Sequence, residues 1–223
     1  MPGKTRKDVT VIIPVFNERR HIENVLRRVP KKCNIIVVDD GSTDGTGYFV
    51  QTLGHNIVRF EHNRGKAAAC KAGINASRTE LNVFIDGDGQ LYPEEIPLIA
   101  EKLRDNDLVL GSRNIRCVPK HRKITNWLSR RAVQVISGRT FHDVLCGFRG
   151  IRKSSFSSLL LREDGYMFET DMLVQAVKNN LRIAYVPVTV SYNIGSRMPW
   201  PSAIRLSGKL IYESFKHVLG ARY

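Results

Sequence analysis

The stretch VTVIIPVFNE, residues 9–18, decides the fold. Val9–Val15 is an unbroken apolar run rich in β-branched residues, and it stops at the polar pair Asn17-Glu18. Apolar residues without alternation mark a strand buried on both faces, as in a parallel sheet covered by helices. Similar runs follow at Asn34–Asp39, Asn56–Phe60, Leu81–Ile85 and Asp107–Leu110. Helical patterns fill the gaps: Glu18–Val29, Thr46–Leu53, Lys66–Ala76 and Glu94–Leu103. Ser42 or Asp44 can cap the second of these, and Pro93 suits the start of the fourth. This alternation predicts an α/β domain with a mostly parallel central sheet flanked by helices. After Gly111 the rhythm changes. A helix is expected at Thr125–Ile136, leading to Cys146–Arg152, then a helix around Phe168–Lys178 and a strand at Ile183–Val188. With no internal repeat or low-complexity linker, one domain is predicted.

The 223 residues are 42% hydrophobic and 25% charged, which excludes wholesale disorder. No apolar run reaches the ~18 residues of a membrane-spanning helix. The polar start, Met1 to Asp8, lacks a secretory core, and Cys33, Cys70, Cys117 and Cys146 are too scattered for a zinc site. Thiols of a reducing compartment are the expectation. Charge is the stronger clue. Lys and Arg outnumber Asp and Glu by 35 to 21, yet residues 1–111 carry 16 against 15. Residues 112–162 carry 12 basic residues and the single acid Asp143, a net +11. Such a segment seeks phosphate in a nucleic acid, a lipid headgroup or a substrate.

Ligands of open α/β sheets bind beyond the carboxyl ends of the strands. Polar clusters fall there three times: Pro14-Val15-Phe16-Asn17-Glu18, Asp39-Asp40-Gly41-Ser42 and Asp86-Gly87-Asp88-Gly89-Gln90. One acidic loop makes a turn; three at the same edge make a constellation. Asp86 and Asp88 flank a glycine, and hard oxygen donors so spaced suit Mg²⁺ or Mn²⁺ with a diphosphate completing the shell. The segment is no EF-hand, because its twelfth position is Pro97. The chain also lacks a Walker A loop, GxGxxG, HExxH and GxSxG, which removes support for kinase-like, dinucleotide, zinc-protease and serine-hydrolase readings.

The ordered set PVFNE (14–18), VVDDGSTDGT (37–46), NRGKAAACKAGI (63–74), DGDGQ (86–90), GSR (111–113) and DVLCGFR (143–149) resembles the family 2 glycosyltransferases of the GT-A fold. The likeness spans about residues 9–195, and the nearest branch is the dolichyl- and polyprenyl-phosphate mannosyl- and glucosyltransferases. It implies a single GT-A, Rossmann-like domain. Residues 9–111 would form a nucleotide-sugar half, 112–195 an acceptor half and 196–223 an amphipathic tail. It also implies inverting transfer of a hexose from GDP-mannose or UDP-glucose to a lipid phosphate, with Mg²⁺ or Mn²⁺. By position, Pro14, Phe16, Asn17 and Glu18 resemble the nucleotide-binding loop, and Asp39 a contact to base or ribose. Asp40 resembles a brace of that loop or a purely structural residue. Asp86 resembles a contact to the donor's nucleotide end, Asp88 and Gln90 resemble metal ligands, and Asp86 belongs to the same ligand set. Arg113, Arg130 or Arg131, and Arg149 resemble phosphate-facing arginines. Arg197, after an expected strand Val188–Tyr192, resembles a loop arginine that closes over the donor.

The chain departs from the pattern at Gly165-Tyr166-Met167, where some lipid-phosphate mannosyltransferases carry a lysine in the third place, and it carries none of the C-terminal spans of many relatives. Its tail, Trp200–Tyr223, mixes apolar and basic residues as a surface-lying helix does, with packing back on the domain, or a chain cut short before a spanning segment, as the alternatives. Peripheral attachment to the cytoplasmic face of an anionic membrane follows, compatible with a membrane-anchoring partner. Glu169 stands about where a sugar-hydroxyl acceptor would need its base; a lipid phosphate is already anionic and needs charge compensation instead. Two alternatives stay open: a hydroxyl-acceptor glycosyltransferase with Glu169 as base, and a nucleic-acid-binding module. The second predicts interleaved aromatics, whereas residues 112–162 hold only Trp127, Phe141, Phe148 and Phe156. No nucleic-acid partner is therefore expected.

Overall fold

Seven strands line up in one sheet in the order β3-β2-β1-β4-β6-β5-β7. The computed structural model describes residues 8–114, 120–161 and 168–192, leaving out the side chains of 120–122. The strands are β1 (Val9–Val15), β2 (Asn34–Asp39), β3 (Asn56–Arg59), β4 (Leu81–Phe84), β5 (Leu108–Arg113), β6 (Arg149–Arg152) and β7 (Ile183–Val188). All are mutually parallel except β6, which runs antiparallel to both neighbours, β4 and β5. The α/β architecture expected from the sequence is the one found.

Two apolar layers explain the continuous runs. Val9, Val11, Ile13 and Val15 of β1 face one layer, which also takes in Ile22, Val25 and Leu26 of α1 (Ile22–Arg28) and Ile96, Ile99 and Leu103 of α4 (Ile96–Leu103). Ile12 faces the other, with Ala69, Cys70 and Ile74 of α3 (Lys66–Ala76) and Met172 and Leu173 of α7 (Phe168–Lys178). Phe168 stands edge-on to Phe84 of β4 at 5.5 Å. The remaining helices are α2 (Thr46–Thr52), α5 (Lys120–Ser137) and α6 (Lys153–Ser157).

Several boundaries differ from the sequence expectation. Helix α1 starts at Ile22, not Glu18, because Asn17 is left-handed (φ 58°) and the Glu18 carbonyl closes a turn with the amides of His21 and Ile22. The fourth helix is split into a 3-10 turn at Pro93–Glu95 followed by α4. A strand at Val188–Tyr192 is replaced by a single bridge between Leu91 and Val190. The antiparallel β6 had no clear signal: four residues, RGIR, carry two arginines and a glycine. Gly150 is needed there because a Cβ would come 2.7 Å from Ile99 Cγ2 of α4. Since Arg149 pairs with both Phe84 and Leu110, the chain before β6 arrives at the carboxyl ends of β4 and β5. Topology thus brings 143–149 to the edge that carries the acidic loops.

Candidate functional site

The first loop is built around Asn17. Its left-handed backbone turns the side chain so that Oδ1 accepts the amides of Thr43 at 2.8 Å and Asp44 at 3.3 Å, while its own amide donates to Ser42 Oγ at 2.9 Å. PVFNE and DDGSTD are therefore laced into one unit, with Phe16 exposed at its surface, Pro14 half-buried and Glu18 buried beneath. Asp44 also accepts the Thr46 amide at 3.0 Å, although the N-cap position of α2 is Gly45, one residue later than expected. Gly41 (φ 75°) lets the turn approach β3's outgoing chain, since a Cβ would lie 2.6 Å from the His62 carbonyl carbon.

Asp39 sits below this loop and not at its surface. Its carboxylate is fully buried, accepting the Ser42 amide at 3.0 Å and Arg59 Nε at 3.3 Å. In this arrangement Asp39 braces the loop from within. Asp40 braces too, accepting the amides of Arg64 at 2.7 Å and Gly65 at 2.9 Å, though burial outweighs these bonds and raises its carboxyl above the ordinary value.

Beyond β4, Asp86 and Asp88 are half-buried and Gln90 is buried. Asp88 Oδ1 accepts the Gln90 amide at 2.9 Å, and the Gln90 carbonyl accepts the Ser191 amide at 2.8 Å. Two glycines permit close packing here. A Cβ on Gly87 would strike Val15 Cγ1 at 2.6 Å, and one on Gly147 would lie 2.3 Å from Asp86 Oδ2. We predict that Gly147→Ala lowers activity about tenfold or more by displacing that carboxylate. Initial rates, with circular dichroism to check folding, measure this; an unchanged rate would show that Asp86 has no fixed place in the reaction.

Lys66, to which the sequence reading gave no role, joins the two halves of the chain. Its Nζ lies 2.6 Å from Asp86 Oδ1 and 2.5 Å from Glu169 Oε1. Burial works against the ammonium, but the charges of Asp86 and Glu169 outweigh it and hold Lys66 well above the ordinary lysine value. It is the first residue of α3, directly after Gly65, whose φ of 88° turns the chain at the same sheet edge. Glu169, in the first turn of α7, thus stands as the partner of a cation.

The expected phosphate-facing arginines separate. Arg113 is clasped by Asp143 through Nε at 2.6 Å and Nη2 at 2.9 Å. Burial alone would raise the Asp143 carboxyl, but these bonds and the guanidinium charge hold it below the ordinary value. Arg149 is 1% exposed and donates to the carbonyls of Cys146 at 2.8 Å, Val144 at 2.8 Å and Glu169 at 2.5 Å. Its three guanidinium nitrogens are thus all engaged within the core, where it acts as an internal brace. Arg130 donates to the Phe141 carbonyl at 2.6 Å, whereas Arg131 is exposed and donates to Gln134 Oε1 at 3.1 Å. Arg197, the Gly165-Tyr166-Met167 segment and the tail 196–223 lie outside the described residues.

The structure thus assembles Asp86, Asp88, Gln90, Lys66 and Glu169 around one edge. Among the described residues no group of three or more His, Cys, Asp or Glu gathers as a metal cage. The donor set is instead one or two carboxylates and an amide, all hard oxygens, which fits Mg²⁺ or Mn²⁺ only if a ligand such as a diphosphate completes the shell.

A model of "Glycosyl transferase family 2" matches residues 10–160. The undecaprenyl-phosphate mannosyltransferase of Micrococcus luteus is 29% identical over 94% of this chain and 92% of its own. The polyprenol monophosphomannose synthase of Mycolicibacterium smegmatis is 31% identical over 80% of this chain and 76% of its own. Among solved structures, glucosyl-3-phosphoglycerate synthase from Mycobacterium tuberculosis in complex with Mn2+ and uridine-diphosphate-glucose superposes with a TM-score of 0.78. At 21% identity, over 94% of this chain and 78% of that one, the likeness is one of fold.

Proposed function

The chain belongs to glycosyl transferase family 2, and from that membership we propose that it transfers one hexose from a nucleotide-sugar to dolichyl or polyprenyl phosphate, giving a β-linked lipid-phosphate sugar. The donor is GDP-mannose or UDP-glucose. The carrying observation is that Glu169 is held by the Lys66 ammonium at 2.5 Å. A carboxylate so paired suits a reaction that needs no proton removed, and a phosphate acceptor is already an anionic nucleophile. Relatives that are named for polyprenyl-phosphate mannosyl transfer and align over most of the chain support the same acceptor.

In this reading residues 9–111 bind the donor and 112–195 receive the acceptor. The laced loop of Phe16, Asn17 and Glu18, braced by Asp39 and Asp40, seats the nucleotide. Asp88 and Gln90, with Asp86, would hold Mg²⁺ or Mn²⁺, which supplies charge neutralisation on the departing nucleoside diphosphate. Lys66 fixes Asp86 against Glu169 and keeps the donor edge in register with α7. The lipid phosphate oxygen attacks the anomeric carbon opposite the diphosphate; the new C–O bond forms as the bond to the diphosphate breaks, inverting the centre. Arg113, with Arg197, compensates the meeting of two anions. The protein works peripherally at the cytoplasmic face of an anionic membrane, with or without an anchoring partner and without nucleic acid. No helix among the described residues is long and apolar enough to cross one.

Glu169→Gln is expected to keep measurable turnover on lipid phosphate, since the nucleophile is preformed. A hydroxyl acceptor would make the same change cost about 10²- to 10⁴-fold. The direct test incubates radiolabelled GDP- and UDP-sugars with metal and polyprenyl phosphate and counts the organic phase. Label in a soluble glycan, with none in lipid, would overturn the assignment.

A further inference from the structure

Among the described residues, eight large apolar side chains are well exposed, and three of them lie on α5: Ile124 at 58%, Trp127 at 55% and Val135 at 51%. With exposed Arg131 they fall at spacings of three, four and four, which is one face of a helix. Thr125, Asn126, Ser129, Ala132 and Val133 are buried on the opposite side, which packs toward α7. The helix contains no acid, and it lies within the segment carrying 12 basic residues and one acid.

We propose that this outer face of α5 is the surface by which the protein lies on an anionic lipid bilayer. The proposal rests on the proposed function for its biological setting, because a polyprenyl acceptor resides in such a bilayer. Tryptophan and aliphatic residues flanked by Lys and Arg favour the headgroup boundary, where the ring has both apolar and polar surroundings. A second copy of this chain is disfavoured as the occupant, because pairing the faces would bring two basic segments together. An anionic membrane complements the same charge. The face is also tied to the site: α5 lies in the chain between Arg113 and Asp143, whose carboxylate clasps Arg113.

The chain has two tryptophans, Trp127 and Trp200, so Trp200→Phe leaves Trp127 as the only one. In that full-length variant, 3:1 phosphatidylcholine–phosphatidylglycerol vesicles are expected to shift Trp127 emission to the blue, and acyl-brominated lipid to quench it. Pure phosphatidylcholine should do much less, and salt should weaken the effect over the Debye range. Adding Ile124→Asp should reduce vesicle affinity about tenfold or more. It should also cut turnover of vesicle-borne polyprenyl phosphate while sparing a short, water-soluble isoprenyl phosphate. Absence of vesicle binding, or binding without a Trp127 shift, would overturn the proposal. So would a concentration-dependent shift in lipid-free buffer with dimers in sedimentation. Failure of the parent protein to glycosylate either acceptor would sink the proposed function, while the fluorescence still decides the surface.

Discussion

Asp88→Asn should cut transfer about 10²- to 10³-fold, the scale of losing one fixed electrostatic contact to the transition state. Chelation with EDTA should do the same to the unmodified protein. The substitution is well posed because Asp88 Oδ1 accepts the Gln90 amide, and an asparagine oxygen can still do so. The loop should therefore keep its shape while losing the negative charge. Thermal stability is expected to change little, so a lower rate reports on chemistry. Gln90→Ala should do less harm, since water can replace a neutral ligand. Initial rates at saturating Mg²⁺ or Mn²⁺, with calorimetric titration of the metal in the presence of donor, measure both effects. Full activity after exhaustive chelation would remove the metal from the mechanism.

Arg149→Ala should act on stability first. Truncation removes the donors to the carbonyls of Val144, Cys146 and Glu169, all in the interior. Each unsatisfied buried acceptor costs about 1–3 kcal/mol. Burial already depresses the guanidinium below its ordinary value, so removing it also relieves a desolvation cost. The balance for a broken buried network is about 3–5 kcal/mol, which in a chain of this size lowers Tm by roughly 6–20 °C. Arg149→Lys should recover only part, because one ammonium does not reproduce the guanidinium's planar fork. Differential scanning calorimetry decides it. An unchanged Tm with a raised KM for lipid phosphate would return Arg149 to the acceptor site.

The sequence was most legible where burial on two faces left no ambiguity. β1, β2 and β7, together with α3 and α7, have the bounds expected from apolar runs and helical period. The acidic edge was legible because Asp-rich loops recur at one end of parallel strands. Lys66 was harder, because its function comes from carboxylates 20 and 103 positions away, and nothing local distinguishes it from a solvated lysine. The arginines show the same limit in reverse. Arg113, Arg131 and Arg149 look alike in a basic segment, yet one is clasped by an acid, one is exposed and one is sealed among carbonyls. Which of these a guanidinium becomes depends on the antiparallel β6, and its short RGIR sequence carries almost no period.

That reversed strand also sets the order in which the molecule can be made. β5 meets the rest of the sheet on one side only through β6 and on the other pairs with β7. A nascent chain that has just finished β5 therefore has nowhere to place it, and must wait about 40 residues for Arg149–Arg152 to emerge. At typical elongation rates that delay is a few seconds. During it, β4 presents a bare apolar border, the kind of edge that recruits neighbouring chains. A fragment ending near residue 111 would be trapped in that condition permanently. The segments on either side of residue 111 are thus not separable building blocks, and cutting the gene between them should yield insoluble pieces.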